Sequence, residues 1–263
     1  MDIQRLKSIG RINTIYDTGE RPVLVECDNL KGYVAKYMKS SSSAYKLACE
    51  LCGSLLAIRW KLNTPDIAFI EIRPSDWPHY GSINFSAPAF GSLKLSNVMD
   101  ITPISLKSIV RSEKVFFQLL KVALFDIWIA NEDRNNNNYN LLFDLLKQEI
   151  IVLDHGCVFN TATFDYGLSI LTCNETILDS ELASYLYYQV SERHIGYIKN
   201  YFSESIRSCA EIVLNIERYI PNEWNVPHLI VKEKLSQLFN DDWISDCWDA
   251  FLEYIECIGK YSN

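Results

Sequence analysis

NEDRNNNNYNLLFDLLKQEIIVLDHG, residues 131–156, is the stretch on which the fold of this 263-residue chain turns. It opens with a polar loop that contains the asparagine run Asn135 to Asn138, the one low-complexity segment in the sequence. Two short runs follow, YNLLFD (139–144) and QEIIVLD (148–154), each the length of a strand. The second run ends in Asp154, His155 and Gly156. Immediately ahead of the loop stands SEKVFFQLLKVALFDIWIA, residues 112–130. It is apolar almost all round, which predicts a helix buried on most of its faces. A polar loop between a buried helix and a pair of short strands is too short for a linker, and its side chains must serve some local purpose.

Working outward, the N-terminal third reads as strands around one helix. PVLVECD (22–28) alternates as a strand does, and GYVAKYM (32–38) reads as its neighbour across DNLKG, with Asn29 and Gly32 as breakers. Ser40 to Ser43 precede an apolar-periodic run from Ala44 to about Leu62. The plain reading of that serine cluster is helix capping, against the alternative of phosphorylation sites. DIAFIEI (66–72) is a further strand, then comes a loop from Pro74 to about Ala87, then PAFGSLKL (88–95) as an exit strand. From about Leu178 onward the pattern is helical, broken by IPNEWNVP (220–227). The expected fold class is α+β, with a β-rich N-terminal lobe over residues 1–97 and a mainly helical C-terminal lobe over residues 98–263. The catalytic loop is placed at 131–142 and the metal motif at 153–156.

Composition narrows the partners. Hydrophobic residues make up 48% and charged residues 22%, as in an ordinary soluble enzyme. The formal net charge is −8. Proteins that grip a nucleic-acid backbone carry the opposite balance, so direct nucleic-acid binding is not expected. Nor is docking to an anionic membrane, for want of a basic patch. The eight cysteines sit in apolar stretches, which predicts free thiols in a reducing compartment. Cys49 and Cys52 form one C-x-x-C on the predicted helix, but no second pair or paired histidine follows to complete a zinc site. MDIQRLKSIG lacks a signal peptide's apolar core, and no apolar run reaches the roughly 18 residues of a membrane span. A cytoplasmic location is expected. His79, His155, His194 and His228 are scattered, and none is assigned a metal.

Phosphoryl transfer asks a protein for few groups. A carboxylate orients the attacking hydroxyl, oxygen ligands hold magnesium, a lysine steadies the phosphates and a glutamate holds the lysine. The sequence offers each part in the expected order, lysine and glutamate first, then the catalytic carboxylate and the metal ligands. Asp133 follows the buried helix, and Asn138 lies five residues later, as in D-x-x-x-x-N. Asp154 ends the second strand. Upstream, Lys36 in YVAKY sits on a strand and Glu50 on the following helix. Blander readings stand beside these. Asp154 could be a turn residue, Lys36 a solvated lysine, and Asn140 could serve in place of Asn138. Glu71 competes with Glu50, although a glutamate buried on an apolar helix needs a partner. Asp126, in an otherwise apolar helix, is expected to accept hydrogen bonds from the catalytic-loop backbone.

The combination resembles the HipA-like kinases, and more closely their compact single-chain members. NEDRNNNNYNLL is similar to the N-x-D-R-H-x-x-N of the wider family, with the Asp-Arg order that phosphatidylinositol kinases share. GERPVLVECDNLKGYVAKY (19–37) resembles the family's glycine-containing turn, strand and lysine strand, and AFGS (89–92) its hinge segment. The resemblance runs from about Thr18 to Phe159. It implies a protein-kinase-like, two-lobed fold with ATP in the cleft, and Mg2+ as cofactor. It implies Asp133 as catalytic base, Asn138 and Asp154 as metal ligands, Lys36 on the ATP phosphates, Glu50 as its partner and Gly19 in the phosphate loop. The activity implied is transfer of the γ-phosphoryl group to Ser or Thr of a protein substrate, as a toxin kinase acting on a translation component beside an antitoxin protein. The alternatives are a catalytically weak pseudokinase and a small-molecule or lipid kinase. Two positions depart from the pattern. Asn135 replaces the histidine after Asp-Arg, and Glu20 stands where small hydroxyl residues are common. A glutamate beside ATP phosphates is unfavourable unless it points away, which implies weak nucleotide binding or a gated site.

Overall fold

The computed structural model describes residues 2–78, 81–162 and 164–261, without the side chains of residues 257 and 259–261. His79 and the side chain of Cys257 fall outside the described residues. The N-terminal part is a six-stranded sheet in the order β1-β5-β6-β4-β3-β2. Its strands are β1 (Gln4–Lys7), β2 (Thr14–Ile15), β3 (Val23–Glu26), β4 (Gly32–Lys36), β5 (Ile67–Glu71) and β6 (Ala89–Leu93). Neighbours pair antiparallel except β1, which adds to β5 in parallel. The turn between β3 and β4 takes its left-handed residue at Leu30 (φ 59°), not at Asn29 or Gly32, with the Asn29 side chain accepting the Lys31 N–H at 3.1 Å.

Alternation along these strands divides the core. Val23, Val25, Tyr33, Ala35, Ala68 and Ile70 face one side, where Trp77 closes over them. The other side packs on α1 (Ser41–Arg59). The serine cluster caps this helix. Ser40 is the N-cap and Ser43 completes a capping box, its hydroxyl accepting the Ser40 N–H at 2.9 Å.

A second sheet of three strands, β7 (Val98–Asp100), β8 (Leu141–Asp144) and β9 (Glu149–Val152), begins the C-terminal part. Between β7 and β8 runs α2 (Glu113–Trp128), capped by the Ser112 hydroxyl. Every residue from Val122 to Trp128 in α2 is buried. The helix stops where Ala130 turns left-handed at φ 49°. After β9, Val158–Ala162 forms one left-handed turn, α3, which docks on the end of α2 through Phe159 N to Ile129 O and Asn160 N to Ala130 O, both 2.9 Å. Four helices complete the lobe: α4 (Glu181–Leu186), α5 (Glu192–Leu214), α6 (His228–Gln237) and α7 (Asp241–Tyr261).

One hydrophobic core runs through α1 into the helical part. Trp60, at the end of α1, is wholly buried and stacks on Trp128 at 5.2 Å, with Phe125, Tyr201 and Phe202 around it. The Tyr201 hydroxyl donates to the Trp60 carbonyl, and Arg59 pairs with Glu211 at 2.8 Å. Rings packed in this way contribute about 0.5–1.5 kcal/mol each beyond the area they bury. α1 belongs to the sheet by sequence and to the helical lobe by packing.

Candidate active site

The polar loop after α2 is built on a buried ion pair. Arg134 and Asp126 are both fully buried and meet at 2.8 Å, Nε to Oδ2. The second Asp126 oxygen accepts from Asn131 Nδ2 at 2.9 Å. The Arg134 guanidinium then donates to the carbonyls of Asn140 at 2.6 Å and Leu153 at 3.0 Å. Asp126 therefore holds the loop through two of its side chains, where the sequence reading expected loop backbone. Backbone bonds between Asn135 and Asn138, 3.0 and 3.2 Å, close the tip of the loop. The Asn135 side chain donates to the Glu132 carbonyl at 2.9 Å and accepts the Asn137 N–H at 2.9 Å, a local turn brace. Glu132 ties the loop to the segment after β9 by accepting from Asn160 and Thr161.

This scaffold leaves Asp133 half-buried. Its Oδ2 accepts from two amides, Asn140 at 3.0 Å and Asn138 at 3.2 Å. Each asparagine spends its nitrogen on Asp133, which leaves its amide oxygen for another purpose. Asn138 is exposed, whereas Asn140 is half-buried, takes φ 46°, and lies opposite Leu153 at the end of the β8–β9 ladder. Both asparagines thus come to Asp133.

Asp154 is also left-handed, at φ 58°, and is about one-third exposed. Its Oδ1 meets Lys36 Nζ at 2.7 Å and accepts the Gly156 N–H at 3.3 Å. Burial disfavours its charge, but Lys36 and hydrogen bonds from Glu50, Lys36 and Gly156 outweigh that and hold its carboxyl well below the usual range. Lys36 also contacts Glu50 Oε1 directly. The other Glu50 oxygen accepts the His155 N–H at 2.9 Å. Burial pushes the Glu50 carboxyl up to about 8, Lys36 working against it. Burial likewise works against charge on Lys36, but Glu50, Asp154 and Glu20 together raise its pKa. Glu71 pairs instead with Lys7, at 3.6 Å on the sheet surface.

Two glycines make these contacts sterically open. A Cβ on Gly53 would lie 2.4 Å from His155 Cβ, and one on Gly156 would lie 2.8 Å from Glu50 Oε1. A substituent at either would push α1 away from the Asp154 turn. By contrast a Cβ on Gly19 would meet nothing within 4 Å, so nothing in its surroundings demands glycine there. His155 is fully buried, its Nδ1 3.4 Å from Ser54 Oγ and its ring edge-on to Phe125. Burial, then Arg134, pushes its pKa down to about 3, so it packs as a neutral ring.

Cys157 follows directly. Its thiol is pushed up to about 11 by burial and then by the charges of Asp133 and Asp154. The seven cysteines with described side chains are all free, and Cys49 and Cys52 are buried inside α1. Among the described residues, no three His, Cys, Asp or Glu side chains are grouped to hold a metal on their own. Magnesium, however, is ordinarily held by one or two carboxylates together with substrate phosphates and water. Asp154 and the amide oxygens of Asn138 and Asn140 are hard oxygen donors of the kind that requirement asks for.

Sequence reasoning passed over Lys46. Its Nζ lies 2.9 Å from Glu20 Oε1. The signal was available, since Lys46, Glu50 and Gly53 fall at i, i+4 and i+7 on one face of α1.

A strand-borne lysine held by a helix-borne glutamate and by Asp154, between a sheet lobe and a helical lobe that carries the Asp133 loop, defines the two-lobed kinase class. A HipA-like kinase family model matches residues 11–237, and the chain belongs to that family. The proinflammatory kinase CtkA of Helicobacter pylori has a similar fold, with a TM-score of 0.56 at 12% identity over 97% of this chain and 99% of that one. The Golgi casein kinase matches with a TM-score of 0.46 at 12% identity over 95% of this chain and 74% of that one. No curated protein matches by sequence. No helix among the described residues is long and apolar enough to cross a membrane.

Proposed function

We propose that this kinase transfers the γ-phosphoryl group of Mg-ATP to a Ser or Thr hydroxyl of a protein. The observation that carries the proposal is that Asn140, bonded to Asp133 through its side-chain amide and to the Leu153 N–H through its carbonyl, joins the Asp133 loop to the Asp154 turn, where Lys36 bridges Asp154 to Glu50. Asp133 accepts the proton of the attacking hydroxyl and orients it. Its pair of amide hydrogen bonds fixes the carboxylate rotamer while leaving Oδ1 for the substrate. Lys36 binds nucleotide phosphate oxygens, and Glu50 keeps the lysine extended into the cleft. Asp154 would hold magnesium with a catalytic-loop amide oxygen, from Asn138 by motif spacing or from Asn140 by its place beside Leu153. When bound, magnesium neutralises charge on the transferred phosphoryl group.

The rest of the proposal is biological. The protein acts in the cytoplasm as a toxin kinase on a translation component, opposed by an antitoxin protein. Nucleic acid and membrane are not direct partners, since the net charge of −8 opposes both. The test uses γ-labelled ATP, magnesium and a cell lysate. Label is expected on serine or threonine of one or a few proteins, and is absent with Asp133→Asn. Label on lipid or small molecules alone would replace the protein-kinase reading. Nucleotide binding without any label would replace it with a pseudokinase.

A further inference from the structure

Glu20 is held by three lysines. It lies in the turn between β2 and β3, closed by Arg21 N to Thr18 O at 3.0 Å, with Arg21 left-handed at φ 53°. Its Oε1 meets Lys46 at 2.9 Å and its Oε2 meets Lys36 at 3.6 Å. Its carbonyl accepts from Lys39 Nζ at 2.5 Å. These groups line a pocket of about 280 Å³ together with Gly19 and Ser43. The carboxylate is the third on Lys36, which already faces Glu50 and Asp154. Glu20 does not point away from the lysines but lies between two of them.

We propose that Glu20 is an internal competitor of nucleotide, standing in for a phosphate between Lys36 and Lys46, and that Lys46 is a second phosphate-binding residue. The inference rests on the ATP reading above and adds a gate to it. A carboxylate and a phosphate present similar oxygens to an ammonium group. Phosphate entering the pocket takes Glu20's place on both lysines, and the turn around Gly19 moves out. Glu20 thus sets the threshold for nucleotide, while Lys46 supplies affinity once the gate has opened.

Calorimetry with ATP, adenosine and inorganic tripolyphosphate tests this on the full chain. Glu20→Gln and Glu20→Ala should bind ATP and tripolyphosphate about five- to tenfold more tightly, the loss of two partly exposed ion pairs. Adenosine, which has no phosphate, should bind unchanged. Lys46→Met should weaken ATP binding about tenfold in the Glu20→Gln background. It should do less in the native background, where the same change also loosens the gate. Equal or weaker tripolyphosphate binding by both Glu20 variants overturns the gate. An unaltered ATP affinity for Lys46→Met in the Glu20→Gln background overturns the role of Lys46. If tripolyphosphate tightens as expected while ATP binds to no variant, the gate stands and the nucleotide reading falls.

Discussion

Two ionic clusters lie on either side of Asp133, and they are built on opposite terms. Below it, Asp126 and Arg134 form one pair, both fully buried, with further hydrogen bonds from Asn131 to Asp126 and from Arg134 to the carbonyls of Asn140 and Leu153. Above it, Lys36 faces three carboxylates, one of them shared with Lys46, and is partly open to solvent. The lower pair is balanced and has no room for a ligand. The upper cluster shares Lys36 among three carboxylates and Glu20 between two lysines, so neither has a single fixed partner. Breaking a buried pair by removing one partner costs about 3–5 kcal/mol, because the other charge stays behind unpaired. In the upper cluster the Glu20 pairs with Lys36 and Lys46 lie nearer solvent and contribute far less to stability, about 0–1 kcal/mol. The lower cluster therefore fixes the architecture. At its Glu20 edge the upper one is free to exchange partners, as a binding site must.

The comparison can be broken most sharply at Asp154. Asp154→Ala removes a carboxylate from the crowded side, so phosphoryl transfer should fall to background while the melting temperature stays within a few degrees. Near-native turnover at saturating magnesium would show that the Asp-His-Gly turn does not hold the metal. Asp133→Asn keeps size and shape but removes basicity, and should lower transfer about 10²–10⁴-fold. Nucleotide should still raise its melting temperature. Loss of both binding and transfer would instead make Asp133 a ligand or an anchor.

On the architectural side, Arg134→Met should cost about 3–5 kcal/mol in chemical denaturation, and Asp126→Leu combined with Arg134→Met should recover most of it. A fully stable single variant would erase the contrast between the clusters. Lys36→Met and Glu50→Gln should each lower turnover about 10²-fold, and the double variant should be little worse than the worse single, since the two act as one unit. Multiplicative losses would separate them. The smallest effect sharpens an ambiguity. Asn138→Ala and Asn140→Ala should differ in their magnesium requirement, and the one that raises it by about tenfold identifies the amide oxygen beside Asp154.

Legibility in the sequence followed the range of the interaction. Strands β3 to β6, α1 and α2 could be read because alternation, helical periodicity and serine caps act over a few residues. β1, β2 and β7 were not read. β1 depends on a parallel partner more than 60 residues away, β2 has two residues, and β7 is three residues long and pairs across α2 with β8. The glutamate opposite Lys36 was legible because Glu50 sits on an apolar helix and needs a partner, whereas Glu71 does not.

What the sequence determined by itself was the inventory: Asp133, Asn138 and Asp154 at family spacing, a lysine strand ahead of a helix, and an apolar segment that had to be buried. What only the tertiary structure decided was how these charges are shared. Spacing along a chain sets which groups are near in sequence, but the direction of a side chain depends on what packs beside it. Gly53 and Gly156 bring α1 against the Asp154 turn, which gives Glu50 two tasks, on Lys36 and on the His155 amide. The left-handed backbone at Asp154 and Asn140 aims one carboxylate at Lys36 and one amide at Asp133. Glu20 turns inward because Lys36, Lys39 and Lys46, drawn from a strand, a loop and a helix, meet at one point. No local pattern records that meeting, because it exists only once the sheet has folded over the helix.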